Sequence, residues 1–138
     1  MKLLGLDWGT KNIGLALSDE EGSMAFPYGI CPAEPREIFL NTLKEIIKKE
    51  EVETVVVGMP LGSESELLVK KFIQKLTAFL SVPVQAFDER RSTKALPFLR
   101  KQKPSKQIRS KAVRDVARSR DALSATLILQ GYIDSKKS

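Results

Sequence analysis

Apolar and polar residues alternate and cluster along the chain in a way that predicts nine elements. Residues 2–8 and 12–18 are two apolar runs separated by a short Gly-containing turn, which reads as a hairpin. The polar stretch SDEEGS leads to a third strand over residues 24–31, where Pro27 and Gly29 mark an edge or irregular strand. From residue 36 to 50, Phe39, Leu43, Ile46 and Ile47 recur at i, i+4, i+7 and i+8, the period of an amphipathic helix. ETVVVG, residues 53–58, is a continuous valine-rich run and predicts a strand buried on both faces. A second amphipathic helix follows over residues 66–80, with Leu68, Phe72, Leu76 and Phe79 on one face, then a fifth strand over 82–87. Ser92 caps a third helix that Pro97 kinks or restarts. Residues 101–110, KQKPSKQIRS, are nearly without apolar residues and read as a mobile basic loop. A last helix runs from about 111 to 133, and its second half, ALSATLILQGYI, is apolar nearly all round, so it packs deep against something flat.

The order β-β-β-α-β-α-β-α-α predicts an α/β fold. Its mixed five-stranded sheet has an antiparallel first half, parallel later strands and helices on both faces. The 138 residues read as a single domain, 1–138, without repeat or linker. No apolar run approaches the roughly 18 residues of a membrane span, and Asp7 interrupts any leader-like segment, so a cytoplasmic protein without membrane contact is expected.

Composition narrows the chemistry. There is no histidine and one cysteine, Cys31. That excludes an intrachain disulfide, cysteine-cluster metal sites, histidine-ligated zinc and His-activated nucleophiles. Cys31 itself reads as a small buried residue. Net charge is +6, but residues 90–120 hold twelve Lys or Arg against Asp115 alone. That segment therefore carries +11 and leaves the rest of the chain at −5. A local basic patch on an otherwise acidic protein points to a polyanion, most often nucleic acid, and otherwise to a solvated loop.

Carboxylates supply the candidate site. Asp7 stands in a strand that otherwise reads as core, where an isolated charge needs a partner, a metal or a proton. Asp88 and Glu89 end the fifth strand, and Asp121 lies where the last helix turns apolar, with Ala125 and Ile128 below it. Parallel strands gather their C-terminal ends at one edge, where sites form. Two carboxylates about 4 Å apart repel by about 4 kcal/mol at an effective dielectric near 20. Converging acids therefore call for a cation, and oxygen ligands suit Mg²⁺ or Mn²⁺, which activate water and stabilise displacement at phosphorus. Each acid also has a plainer reading. Asp7 could accept hydrogen bonds from its turn, Asp88 and Glu89 could pair with Arg90 and Arg91, and Asp121 could pair with Arg118 or Arg120.

LGLDWGTKNIGLALSD resembles the opening motif of the YqgF/RuvX family of ribonuclease H-like proteins. VVVGMPLG is similar to the family's fourth-strand motif, FDERRSTKAL to its Asp-Glu-Arg-Leu-Thr-Thr motif, and RDALSATLILQGYI to its C-terminal helix. The four occur in order over nearly the whole chain. The resemblance implies a ribonuclease H-like fold and a divalent-metal nuclease, described in the family as Holliday junction resolvase-like or as processing the 5′ end of pre-16S ribosomal RNA. It implies catalytic and metal-binding roles for Asp7, Glu89 and Asp121, with Asp88 beside them. Arg90 would hold a phosphate and Thr93 would orient water or backbone. Thr10 and Lys11 in the first turn, with Arg91, Lys106, Arg109, Lys111, Arg114 and Arg118, are the expected contacts to an RNA or branched-DNA backbone. The chain departs from the family pattern in an acidic GSESEL loop, a longer basic stretch over 97–120, and Trp8, which reads as core packing rather than a stacking platform.

Two other readings compete. DWGTKNIG also resembles the first phosphate loop of actin-like ATPases, but those duplicate the unit, and no second Asp-Gly-Thr loop occurs here. ATP binding would support that reading. A non-catalytic ribosome-assembly or transcription factor would need only the basic segment, and tight binding without cleavage would mark it. Symmetric junction cleavage needs two sites and hence a dimer. With no sustained apolar stripe, a monomer or weak homodimer is expected.

Overall fold

The computed structural model describes residues 1–90 and 120–136. Five strands, β1 (Leu3–Asp7), β2 (Asn12–Ser18), β3 (Ala25–Pro32), β4 (Thr54–Met59) and β5 (Val84–Asp88), form one sheet in the order β3-β2-β1-β4-β5. β1–β2 and β2–β3 are antiparallel; β1–β4 and β4–β5 are parallel. The helices are α1 (Arg36–Glu50), α2 (Glu66–Phe79) and α3 (Arg120–Lys136). Strand and helix limits fall within two residues of those expected wherever both ends are described. β4 is buried throughout, as its unbroken valine run predicts, because helices cover both faces of the sheet. β3 is an edge strand, and its register shifts where Leu15 faces Gly29 and Ala16 faces Pro27, leaving Tyr28 as the extra residue.

The two faces differ in size. On one, Leu4, Leu6, Ile13, Leu15, Leu17, Val55 and Val57 meet Phe39, Leu43 and Ile46 of α1 and Val69, Phe72 and Leu76 of α2. Side chains alternate along a strand, so the residues between them face the other way. Those residues are small: Gly5, Gly14, Ala16, Val56 and Gly58. Against them lies α3, through Ala125, Ile128, Leu129 and Ile133. A Cβ at Gly5 would lie 2.8 Å from Cβ of Leu129 and 3.1 Å from the Ala125 carbonyl oxygen. One at Gly14 would collide with the Asp121 carbonyl, and one at Gly58 with Cδ1 of Ile128. The absent side chains thus let α3 press its backbone onto β1 and β2. Gln130 fixes its middle by accepting the Ala25 N–H at 2.9 Å.

The helix expected from Ser92 and the basic loop 101–110 lie outside the described residues, as does the part of the last helix expected before residue 120. Among the described residues no helix is long and apolar enough to cross a membrane. The close approach of α3 makes a clear prediction. Gly14→Ala adds one methyl to a residue type that strands tolerate better, yet should cost about 1–3 kcal/mol in urea unfolding, because it overpacks against backbone.

Candidate active site

The C-terminal ends of the parallel strands β1, β4 and β5 lie at one edge of the sheet, and the acids stand there. Asp7 ends the central strand. Alternation from Leu3 and Gly5 turns its side chain toward α3, and its cross-strand neighbour is Gly14. Gly14 in turn bears the backbone of Asp121, in the first turn of α3. Glu89 follows β5, and its Oε2 lies 3.3 Å from where a Cβ of Gly58 would stand, over the α3 face of the sheet. Asp7, Glu89, Arg90, Ser124, Leu127 and Ile128 line a cavity of about 310 Å³.

Electrostatics ties the acids together. Burial pushes the Asp7 carboxyl up to about 7, and the negative charges of Glu89 and then Asp121 push in the same direction against Arg120. Burial, and then the adjacent Asp88, also raise Glu89. Asp88 itself is occupied. Arg90 grips it with two parallel bonds, Nε to Oδ1 at 3.0 Å and Nη2 to Oδ2 at 2.9 Å, and its backbone N–H donates to Oδ1 at 3.0 Å. The two neighbouring acids therefore divide: Glu89 turns into the cavity with Asp7, while Asp88 holds the Arg90 guanidinium at its rim. The plainer pairing expected of this stretch is thus present for Asp88.

No group of three acids stands together as a ready-made ion cage among the described residues. Mg²⁺ does not require one, since it commonly takes one or two carboxylates and completes its shell with water and substrate phosphate. Asp7 and Glu89 in one cavity fit that pattern, and a cation would offset both the burial and the added repulsion that raise Asp7. Thr10 and Lys11 are exposed in the turn after Asp7, where the Lys11 carbonyl accepts the Ala33 N–H at 2.8 Å. Trp8 packs half-buried against the α1/α2 side of the core, as expected. Arg91, Thr93, Lys106, Arg109, Lys111, Arg114 and Arg118 lie outside the described residues.

The family model described as RuvX, Holliday junction resolvase, matches residues 1–135. This chain belongs to the RuvX family. Curated relatives named "Putative pre-16S rRNA nuclease" include one from Desulforudis audaxviator, 36% identical over 100% of this chain and 97% of its own length. Another is from Desulforamulus reducens, 36% identical with 98% of each chain covered. A third, from Chloroflexus aggregans, is 32% identical, covering 99% of this chain and 95% of its own. Among solved structures, Thermus thermophilus RuvC in complex with a Holliday junction substrate superposes with a TM-score of 0.62 at 17% identity, covering 100% and 96% of the two chains. The fowlpox virus Holliday junction resolvase gives 0.56 at 11%, covering 98% and 99%. At such identities the likeness is one of fold, and the fold is ribonuclease H-like, as the RuvX motifs imply.

Sequence reasoning missed Ser124 and Leu127 as cavity residues. The available signal was spacing, since Ser124 lies three residues beyond Asp121 on the same helix face. For the RuvX chain the raised Asp7 carboxyl has a measurable consequence. A folded-state value above the unfolded 3.8 means the native state holds this proton more tightly. Its contribution to stability is whole below about pH 4 and is lost as pH rises through about 7. In EDTA, Asp7→Asn should match the wild type only below about pH 4, and its advantage in urea unfolding should grow by on the order of 3 kcal/mol between pH 5 and pH 8. An advantage that does not change between the two pH values would contradict a raised Asp7 carboxyl.

Proposed function

We propose that this RuvX protein is a divalent-metal nuclease that hydrolyses phosphodiester bonds in structured nucleic acid. The substrate classes are the 5′ end of pre-16S ribosomal RNA and Holliday-junction-like DNA, as the names of its relatives and of its family indicate. The observation that carries the reading is Asp7 at the end of the central strand, sharing a cavity with Glu89, its carboxyl raised by burial and then by the charges of Glu89 and Asp121.

In this reading Asp7 and Glu89, aided by Asp121, hold Mg²⁺ or Mn²⁺. When bound, such an ion polarises the phosphate and lowers the pKa of water beside it. Asp88 keeps the Arg90 guanidinium presented as a fork toward a phosphate oxygen, the geometry in which Arg is most effective. Leu127 and Ile128 exclude water from the inner wall. Thr10 and Lys11, with Arg91, Thr93, Lys106, Arg109, Lys111, Arg114 and Arg118, hold the sugar-phosphate backbone with little sequence preference. The protein acts in the cytoplasm as a monomer or weak homodimer. Binding without cleavage is the second reading, favoured by the lack of an assembled three-acid cage among the described residues.

A cleavage assay on four-way DNA junctions and precursor-RNA ends separates the two. Wild type should cut at least one in Mg²⁺ or Mn²⁺ and none in EDTA. Asp7→Asn should lose roughly a hundredfold or more in rate while still binding. Tight binding with no cut in any substrate would leave the binding-factor reading. Affinity should fall steeply with salt, and Lys106→Gln with Arg109→Gln should each reduce the log–log salt slope by about one.

A further inference from the structure

We propose that Ser124 is a substrate-contacting residue whose hydroxyl donates a hydrogen bond to a phosphate oxygen of the bound nucleic acid. It deepens the nuclease reading and rests on its nucleic-acid substrate.

The first observation is what the other helical hydroxyls do. Thr42 donates to the Ile38 carbonyl at 2.7 Å, Thr77 to Ile73 at 2.8 Å, Thr126 to Ala122 at 2.8 Å and Ser135 to Tyr132 at 2.7 Å. Each turns back onto its own helix, the usual resting place of a helical Ser or Thr. Ser124 makes no such bond among the described residues. It is half-buried, and it faces the cavity that holds Asp7 and Glu89.

The second observation is the balance of that cavity's lining. Asp7 and Glu89 are acceptors when ionised and repel a phosphodiester, while Leu127 and Ile128 are apolar. Among the described lining residues, Arg90 and Ser124 are the side chains that can donate to an anion in any state of the site. Arg90 is anchored at the rim by Asp88. Ser124, one turn along α3 from Asp121, lines the same cavity from the helix. A phosphate there would meet donors from two elements, the segment after β5 and α3, and a cavity of about 310 Å³ admits a phosphate with part of its sugar.

The position of Ser124 is also firmly set. Its neighbours Ala125 and Ile128 are packed on the glycine-lined sheet face, so the helix cannot rotate without clashing at Gly5, Gly14 and Gly58. With the backbone held this way only the short Ser124 side chain remains to be ordered, so little conformational entropy is lost when its hydroxyl bonds.

The test uses the full chain. Ser124→Cys is offered DNA junctions and RNA hairpins that carry an activated disulfide tether on one phosphate, moved position by position. Cys31 is buried and does not compete. Ser81→Cys, exposed beyond the far end of α2, is the control. Disulfide trapping at least tenfold faster for Ser124→Cys, at one or two adjacent phosphates, is expected; trapping no faster than the control overturns the proposal. In parallel, Ser124→Ala should lower kcat about tenfold with KM little changed. It should lose nothing further on one of the two phosphorothioate diastereomers at the cut site. An equal loss on both diastereomers and the natural phosphate would mark a structural role and overturn the contact. Trapping without cleavage by any form of the protein would keep the Ser124 contact and overturn the nuclease reading. Cleavage with unchanged kcat in Ser124→Ala and no trapping would do the reverse.

Discussion

The close approach of α3 to the sheet is the constraint on which the site depends. Helices usually lie on a sheet with a layer of side chains between them. Here Gly5, Gly14 and Gly58 remove that layer from three adjacent strands, and the Asp121 backbone rests directly on β2. Three glycines in strand interiors are unfavourable in themselves, by roughly 0.5–1 kcal/mol each. The contacts of Ile128, Leu129 and Ile133 offset this, since each buried aliphatic side chain of that size contributes about 1.5–3 kcal/mol. What the glycines gain for the protein is position. The helix that supplies Asp121 and Ser124 is held over the strand ends that supply Asp7 and Glu89.

That geometry stores electrostatic strain. Asp7 is raised by burial and by two other acids, and the nearby Arg120 does not cancel them. A protein selected for stability alone would pair or remove these groups, and the proposed cation and anionic backbone are what would give these acids a use here. Asp88 shows the contrast. Next to Glu89 in sequence, it is satisfied by a bidentate Arg90, so one carboxylate of the pair serves structure and the other faces the cavity.

Much of this was legible in the sequence, for identifiable reasons. The period of Phe39, Leu43 and Ile46 and the unbroken valines of β4 state their elements directly, because one-sided and two-sided burial write different patterns. Asp7 stood out because a charge in a core strand demands an explanation, and the RuvX motifs agreed with it. The division of labour between Asp88 and Glu89 was hidden, since it depends on a guanidinium folding back two residues. Gly14 and Gly58 read only as weak strand residues, because their role appears once the sequence-distant helix α3 is laid on them. Ser124 was overlooked as one hydroxyl in an apolar helix, although its spacing from Asp121 was visible.

The most direct test of the account is the titration of the Asp7 carboxyl, followed by carboxyl-carbon NMR in metal-free protein. The coupled site predicts a midpoint near 7, a drop toward the ordinary aspartate value when Mg²⁺ is added, and a smaller drop in Asp121→Asn and in Glu89→Gln. A midpoint near 4 in the metal-free wild type, unmoved by either substitution or by Mg²⁺, would contradict it.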